Sequence, residues 1–323
     1  MSREVASPPE RFEAGPERQV FAEGETDLSF DVAVLGELLA REGVRVRPAG
    51  GCENVIAAAR AFARAGGGPG FEGAECYAIV DRDHRGDDQV GKTWAGGAFA
   101  EGRVHLYWRC HEFDNHFLEP EFLGQSAYLR PGRTVEDLTA ALVGEARVRV
   151  YLDAANLVLK ALREELGWWD FREFALGEGD FGSLGAARAS LVDGRPYAQL
   201  AERKTSLLAT KALTAMYDAN VALMLGPSDD APLEFGRGEW LQRMEGGKLL
   251  GAVLHERFFA VRGSNGRDLT GLDLRVRVAR DLMRRFDELA YRPQDLVEVR
   301  DYFRSTQPRR FGLTGTAGSP PSQ

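Results

Sequence analysis

The feature that most restricts the fold is an alternation of two hydrophobic patterns between residues 19 and 120. Short apolar runs, which predict buried strands, alternate with longer segments whose apolar residues recur at helical spacing. Strands that alternate with helices favour a parallel sheet joined by right-handed crossovers. We therefore predict an α/β fold with a parallel sheet flanked by helices. The predicted strands are residues 20–22, 44–48, 76–80 and 104–108, and the predicted helices lie near 28–39 and 53–65.

Two stretches of this region carry neither pattern and are predicted to be connecting loops. Residues 66–73 are rich in glycine, and residues 84–102 are mostly polar. The second stretch is long enough to suggest a lid over a functional site, because long connections without secondary structure are uncommon in compact domains.

The chain becomes mainly helical in pattern after about residue 131. We expect residues 18–130 to form the catalytic α/β domain and residues 131–311 to form a mainly helical domain packed on it. Residues 1–17 contain no apolar signal-peptide core and are predicted to be a mobile arm. Residues 312–323 are rich in Gly, Ser, Thr and Pro and are predicted to be a disordered tail. The predicted helices of the second domain are 134–169, 197–218, 247–256 and 274–291.

Composition indicates a globular protein of the reducing cytoplasm. The chain has 323 residues, of which 44% are hydrophobic, enough for a sizeable core. Its net charge of -8 argues against a basic nucleic-acid coat but is compatible with a nuclease. The cysteines number three and form no CxxC pair, which argues against a disulfide framework. No run approaches the ~20 apolar residues of a membrane span, so we expect no membrane association.

Four acidic residues follow the predicted strands, and they are the leading candidates for a functional site. They are Glu23, Asp81, Asp83 and Glu112. Ligands of open α/β sheets bind outside the carboxyl ends of the strands, so these carboxylates are expected to meet there. Such a cluster would repel itself without a cation. Hard oxygen ligands favour Mg²⁺ or Mn²⁺, and this indicates an enzyme acting on phosphate.

Each of these acids also has an ordinary structural interpretation. Glu23 could belong to a simple acidic loop in which Asp27 caps the next helix, although Asp27 could instead help to hold the metal. Asp81 and Asp83, as alternate residues at a strand end, could point the same way, or Asp81 could cap a helix in a solvated turn. Asn115 could orient Glu112 or its metal-bound water, or could cap a helix that begins near residue 116.

Other polar residues are weaker candidates. The turn at 50–54 (GGCEN) has glycines that allow close backbone approach, and Asn54 there could contact a phosphate at a helix N-terminus. Lys248, after two glycines, could stabilise transition-state charge, or it could simply be solvated. Five arginines between residues 275 and 285 could bind a nucleic-acid backbone or form an ion-paired helix face with Asp273 and Asp281.

A cysteine and two histidines that lie close in the sequence are a weak candidate for a zinc site. Cys110, His111 and His116 are ligand types that zinc accepts, but no second ligand pair is evident in the sequence. The favoured interpretation is a buried cysteine beside polar loop residues.

The order of these motifs resembles a Toprim domain, the catalytic fold of topoisomerases, primases and overcoming-lysogenization-defect nucleases. The closer resemblance is to a bacterial Toprim-like family that includes the effector nuclease of PARIS-type anti-phage systems. It extends over roughly residues 18–305 and is more specific in the first third. Asp114 is an additional acid inside the last motif, which leaves open which carboxylate would reach the metal. The motifs that carry the resemblance are 23–27 (EGETD), 50–54 (GGCEN), 81–83 (DRD) and 112–118 (EFDNHFL).

The resemblance implies a metal-dependent endonuclease that cuts RNA, with tRNA as one candidate, or DNA in anti-phage defence. In such systems an ABC-type ATPase holds the effector inactive until infection, so a partner of this kind is expected. A homo-oligomer is left open. Two alternatives are kept: a non-catalytic regulatory or binding module that partners the ATPase, and a nucleotidyl-transferring enzyme of the primase type.

Overall fold

A four-stranded parallel sheet forms the N-terminal part of the chain, as the alternating pattern predicts. The computed structural model describes residues 18–65, 75–83, 85–166, 173–174, 177–193, 208–225 and 239–306. The strands are ordered β2-β1-β3-β4, and each pairs with its neighbours in parallel. The strands are β1 (Arg18–Ala22), β2 (Val44–Pro48), β3 (Glu75–Val80) and β4 (His105–Tyr107).

The burial of each strand follows its position in the sheet. The two central strands, β1 and β3, are buried along almost their whole length, which suits continuous apolar runs covered on both faces. Strand β2 lies at the edge and alternates valine with arginine, so that Val44 is buried and Arg45 is exposed. The sheet therefore has an apolar centre from which chain segments emerge at the carboxyl edge.

Three helices accompany the sheet, and one of them corrects a prediction. The prediction that residues 84–102 form a connecting loop is wrong, because their described part contains a helix and the short 3₁₀ helix Ala100–Gly102. The lid role suggested for them stays a prediction. Buried Trp94 anchors the helix, and its indole Nε1 donates to the carbonyl oxygen of Tyr107 at 2.6 Å. The segment is therefore part of the packed structure. The helices are α1 (Phe30–Leu39), α2 (Cys52–Ala65) and α3 (Asp87–Trp94).

The rest of the described chain is helical, as predicted, but with additional helices. The predicted segment 274–291 stops being α-helical at Arg284 and continues as the 3₁₀ helix Phe286–Glu288. Helices α4, α6 and α10 were not predicted, although the buried Leu296, Val299 and Phe303 of α10 have helical spacing. The helices are α4 (Pro120–Leu123), α5 (Val135–Leu166), α6 (Leu184–Asp193), α7 (Thr210–Leu225), α8 (Gly246–Val253), α9 (Gly271–Arg284) and α10 (Gln294–Ser305).

Ion pairs join the helical part to the sheet. Arg280 and Arg284 of α9 both bind Glu37 of α1, at 2.7 and 3.1 Å. Arg285 pairs with Asp281 at 2.8 Å. These contacts favour the ion-paired interpretation of this arginine group over a nucleic-acid contact, with Glu37 as an acid that the sequence did not indicate. Buried Arg18 adds a further link by donating to the carbonyl oxygens of residues 303 and 306.

Several predictions concern residues that the structure does not describe. The arm at 1–17, the tail at 312–323 and the glycine-rich stretch at 66–73 lie outside the described residues. The domain boundary near residue 130 stays a prediction. None of the described helices combines the length and apolar character needed to cross a membrane.

Candidate active site

The acidic residues gather at the place where the strand order of the sheet reverses. The chain moves from β1 outward to β2 and then returns to place β3 on the other side of β1. A crevice forms at the carboxyl ends of the two strands that flank such a reversal, and ligands bind there. Glu23 directly follows β1, and Asp81 directly follows β3. Glu23 Oε1 accepts a hydrogen bond from the Asp81 backbone N–H at 3.1 Å, so the two segments are in contact.

Glycine at residue 24 is required for this geometry. Gly24 has a φ of +134°, and a Cβ there would lie 2.6 Å from the Cβ of Ser29. Its backbone exchanges two hydrogen bonds with Gly50, at 3.1 and 2.9 Å. The first two sequence motifs are therefore adjacent in space. Gly24 thus lets the loop after β1 turn sharply while pairing with the loop after β2.

Asp81 connects the first two strands of the site with the loop after β4. Its Oδ1 accepts a hydrogen bond from the backbone N–H of Phe113 at 2.8 Å. The alternative in which Asp81 caps a helix is wrong, because the next helix begins at Asp87 and its N-cap is Gly86. Loops after β1, β3 and β4 thus converge on one residue, through the backbone N–H and the carboxylate of Asp81.

Asp83 is held differently from Asp81. Strand β3 ends at Val80, and Asp83 has a φ of +50°, a left-handed conformation that is uncommon outside glycine. The expectation that alternate residues of an extended strand point the same way therefore does not apply here. Asp83 Oδ2 pairs with Arg85 at 3.1 Å, and its backbone N–H donates to the His111 carbonyl oxygen at 3.0 Å.

Glu112 is positioned by a glycine turn from the helical part of the chain. Its Oε2 accepts a hydrogen bond from the Gly247 backbone N–H at 2.9 Å, in the first turn of α8. Its own backbone N–H donates to Asn115 Oδ1 at 3.1 Å, and Asn115 Nδ2 donates to the Met244 carbonyl oxygen at 3.0 Å. The helix begins at Phe113 and not near residue 116, and its N-cap is Glu112; Asn115 does take part in capping, as the third residue of the helix in a capping box with Glu112. Asn115 also fastens the Glu112 loop to the segment before α8.

Two further acids belong to this cluster: Asp31, which the sequence did not indicate, and Asp114, which the sequence left open as a metal ligand. Asp31 lies in the first turn of α1, and Asp114 follows Glu112 in the 3₁₀ helix. Neighbouring carboxylates, including Glu112, act on both of them. The sequence signal for Asp31 is an acid inside the otherwise apolar segment FDVAV. We refer to Glu23, Asp31, Asp81, Asp83, Glu112 and Asp114 as the acidic cluster.

Burial and mutual repulsion raise the pKa values of Asp81 and Asp31, so these two carboxylates bind protons more tightly than ordinary ones do. Burial raises the pKa of Asp81 well above its usual range, and the charges of Asp31, Glu23 and Glu112 raise it further. The pKa of Asp31 is raised in the same way, first by burial and then by Asp114. Groups that disfavour their own negative charge in this manner are stabilised by a cation.

Glu23, Glu112 and Asp114 show the same tendency. Burial raises the pKa of Glu23, against a lowering by its hydrogen bond from the Asp81 backbone. Burial also raises the pKa of Glu112, and the pKa of Asp114 rises to about 7 through burial and the Glu112 charge. Shifted carboxylates grouped in a crevice are typical of functional sites.

The carboxylates are spaced more widely than the direct ligands of a single ion. Of the described His, Cys, Asp and Glu side chains, three ligand atoms within 4.8 Å of one another are found at Cys110, His116 and Asp295, not in the acidic cluster. A cation in the acidic cluster would therefore contact one or two carboxylates and reach the others through water. Mg²⁺ in proteins commonly retains several of its waters.

Two cations that the sequence did not indicate act on the acidic cluster: Arg85 pairs with Asp83 at 3.1 Å, and Lys160 acts on Glu112. Lys248 is exposed on α8. Lys160 of α5 is partly buried and pairs with Glu173 at 3.5 Å. Its charge also lowers the pKa of Glu112, partly offsetting the effect of burial. The spacing along α5 gives no hint of this role, because Glu112 lies far from Lys160 in the sequence, in the segment after β4.

Two of the weaker candidates are exposed beside the site. Asp27 lies in the turn before α1, where Ser29 occupies the N-cap position, so the capping role predicted for Asp27 is wrong. Asn54 is exposed in the first turn of α2, and a Cβ on Gly50 would lie 3.3 Å from its Nδ2. Neither position forms part of the buried acidic cluster.

Comparison of the chain with protein-family models and with curated proteins finds no match. What the site does must therefore be argued from its own residues and geometry.

Proposed function

We propose that this protein is a metal-dependent nuclease of Toprim-like type, which hydrolyses phosphodiester bonds with Mg²⁺ or Mn²⁺ at the acidic cluster. The observation that carries this proposal is the contact between Glu23 and Asp81 at the reversal of the strand order. Both carboxylates have raised pKa values there, which indicates a site built for positive charge. The all-parallel sheet with acids after β1, β3 and β4 is compatible with the motif resemblance.

The donor set fits a hard divalent cation, because the cluster consists of carboxylate oxygens. Glu23 and Asp81 are the best placed to hold it, with Asp83 and Glu112 contributing through water. When bound, such a cation lowers the pKa of a coordinated water and stabilises charge on the phosphate. Asp114 and Asp31 complete the negative surroundings that attract it.

The residues of the chain have separate tasks in this proposal. Glu23 is the candidate general base, because its raised pKa brings it closer to the value at which a carboxylate accepts a proton effectively. Asn115 and Gly247 hold Glu112 by hydrogen bonds to its backbone and its side chain. Lys160 offsets part of the negative charge at Glu112.

The substrate and the biological setting follow from the motif resemblance alone. We propose RNA, including tRNA, or DNA as the substrate, and a role as the effector of bacterial anti-phage defence. An ABC-type ATPase is the expected regulatory partner.

A cleavage assay tests this function. Purified protein is incubated with total cellular RNA or plasmid DNA in the presence of Mg²⁺, Mn²⁺ or EDTA, alone and together with an ATPase encoded next to it. We expect cutting of one substrate class that requires metal and stops with EDTA. Cutting that is indifferent to EDTA would contradict the metal mechanism. No cutting under any condition would favour the non-catalytic binding module.

Metal binding is expected to depend on pH in a defined direction. Asp114 has a folded-state pKa of about 7 against an ordinary value of 3.8, and it faces Glu112 and Arg275. Because its folded-state pKa is raised, protonated Asp114 stabilises the folded, metal-free protein against unfolding at low pH. This stabilisation is lost as the pH rises from 3.8 to about 7. Mg²⁺ competes with these protons, so it should raise the melting temperature more above pH 7 than at about pH 5. Differential scanning fluorimetry measures this, and Asp81→Asn should remove the difference. A larger Mg²⁺ effect at the lower pH would contradict the assignment.

The two lysines provide a matched comparison. Lys160→Met should lower the cleavage rate by about tenfold or more, since it removes a charge that acts on Glu112. Lys248→Met should change it by less than about twofold, because exposed Lys248 is solvated. Initial rates at saturating Mg²⁺ decide between them. The reverse order would restore Lys248 as the catalytic cation.

A further inference from the structure

A second group of metal-binding side chain types lies where the loop after β4 meets α10. Cys110 Sγ is 3.4 Å from His116 Nε2, and His116 Nε2 is 3.6 Å from Asp295 Oδ2. These three residues contribute ligand atoms that all lie within 4.8 Å of one another. The side chains of His116 and Asp295 are 5% and 9% exposed, and Cys110 is half-buried.

The hydrogen bonding of His116 leaves the correct nitrogen for a metal. Its Nδ1 lies 2.9 Å from the carbonyl oxygen of Phe113. A carbonyl oxygen only accepts hydrogen bonds, so Nδ1 carries the proton, and in the neutral ring Nε2 has the lone pair. Nε2 is the nitrogen that lies between Cys110 and Asp295. Metal-binding histidines are commonly oriented in this way, through a carbonyl oxygen on the second nitrogen.

Asp295 is also held in place by its surroundings. Its Oδ1 accepts from the Arg109 guanidinium at 2.7 Å, and its Oδ2 accepts from the Arg109 backbone N–H at 3.0 Å. The remaining lone pair on Oδ2 is available on the side of His116. Outer hydrogen bonds of this kind fix the orientation of a carboxylate ligand.

The distances fit a tetrahedral ion. With bonds of about 2.3 Å to sulfur and about 2.0 Å to nitrogen or oxygen, neighbouring ligand atoms of tetrahedral zinc lie about 3.3 to 3.6 Å apart. The separations at His116 Nε2, 3.4 and 3.6 Å, fall in this range. Cys110 Sγ is also 3.5 Å from Nδ1, so the thiol has to turn towards the Nε2 lone pair before it can share an ion with the ring. A thiolate and an imidazole are soft or borderline ligands that favour zinc over Mg²⁺.

The buried acid Glu119, near this group, also favours a bound cation. Glu119 is 8% exposed, and its Oε2 has no hydrogen-bond partner among the described residues. The charge of Asp295 acts on it unfavourably. A divalent cation at the group would offset the negative charge of both acids.

We propose that Cys110, His116 and Asp295 form a zinc site separate from the acidic cluster. The site joins the loop that carries Glu112 to the first turn of α10. Because His116 and Asp295 are buried, the role of the site is structural: it fixes the position of the loop that carries Glu112. The sequence shows only the first two ligands, and the third becomes evident when α10 packs against this loop.

The test measures metal directly and does not depend on cleavage. Untagged protein is purified without added metal, and its zinc content is measured by mass spectrometry after dialysis against a weak chelator. We expect about one zinc per chain, and loss of it in Cys110→Ser and Asp295→Asn. Cys52→Ser is the control, since it removes a thiol outside the group and should retain the zinc. Wild-type protein loaded with Co²⁺ should show the near-ultraviolet absorption of a cobalt–thiolate bond, which gives a readout independent of any variant.

The possible results separate this proposal from the proposed function. Asp81→Asn should keep both the zinc and the cobalt–thiolate absorption even if it loses cleavage. Without a metal, the three side chains would simply form a hydrogen-bonded chain in which the Cys110 thiol donates to the Glu112 carbonyl oxygen at 3.3 Å. Wild-type protein that holds no zinc and shows no cobalt–thiolate absorption would show that the three side chains are only hydrogen-bonded, and would overturn the proposal. Equal zinc in Cys110→Ser would overturn it as well.

Discussion

Replacing Asp81 with Asn is expected to abolish metal-dependent cleavage without weakening the fold. The loss of a charged ligand should cost several kcal/mol of transition-state stabilisation, a decrease in rate of at least about 100-fold. The isosteric amide keeps an oxygen that can accept the hydrogen bond from Phe113. Because burial already disfavours the Asp81 charge, the variant should be at least as stable as the wild type in the absence of metal.

Glu23 permits the same test with a control two residues away. Glu23→Gln should reduce cleavage by a similar factor, whereas Glu25→Gln changes an exposed acid in the same loop and should leave the rate unchanged. Rates are compared at equal metal concentration, with circular dichroism to confirm folding. Full activity in both Glu23→Gln and Asp81→Asn would refute the assignment of the site.

Replacing Gly246 with Ala is expected to be the most destabilising conservative change in the site. An added Cβ would lie 2.1 Å from Asn115 Oδ1 and 2.8 Å from the Asn115 backbone nitrogen. The nitrogen belongs to the packed 3₁₀ helix, so backbone as well as side chain would have to move. We expect a loss of about 1–3 kcal/mol in the free energy of unfolding. Cleavage should also fall, because Asn115 holds Glu112.

A second glycine provides the control for this experiment. Gly144 is exposed in the interior of α5, and a Cβ there would meet nothing within 4 Å. Gly144→Ala should therefore stabilise the protein by up to about 1 kcal/mol through helix propensity. Urea unfolding measures both variants. Equal stability of the two would mean that the contact between α8 and the Asn115 loop is looser than described.

The fold was predictable where its signals are local. The apolar run Cys76–Val80 identifies a buried strand, and the alternation of valine with arginine in Val44–Pro48 identifies an edge strand, because both patterns are local. Helix α3 was not predicted, since it is short and polar and is stabilised by Trp94, which packs against β4. Helix α10 was missed for a similar reason. Its stability depends on distant partners such as Arg109, which binds Asp295.

The candidate active site, like the fold, was predictable where its residues have a local sequence signal. Acids directly after strands, such as Glu23 and Asp81, are visible because the carboxyl edge of a parallel sheet has a sequence signature. Asp31 and Lys160 belong to helices, where an isolated charge is ordinarily solvated, and only tertiary packing brings them to the cluster. The spacing between the carboxylates of the acidic cluster could not be predicted either, since it depends on how Gly247 holds the Glu112 loop.

The central claim is that the acidic cluster binds a divalent cation, and Mn²⁺ binding tests it most directly. Electron paramagnetic resonance of Mn²⁺ titrated into purified protein above pH 7 counts bound ions without requiring a substrate or a partner. We predict binding that Mg²⁺ displaces, that Asp81→Asn removes, and that Cys110→Ser retains. Equal Mn²⁺ binding by wild type and Asp81→Asn, or no binding by either, would contradict the account.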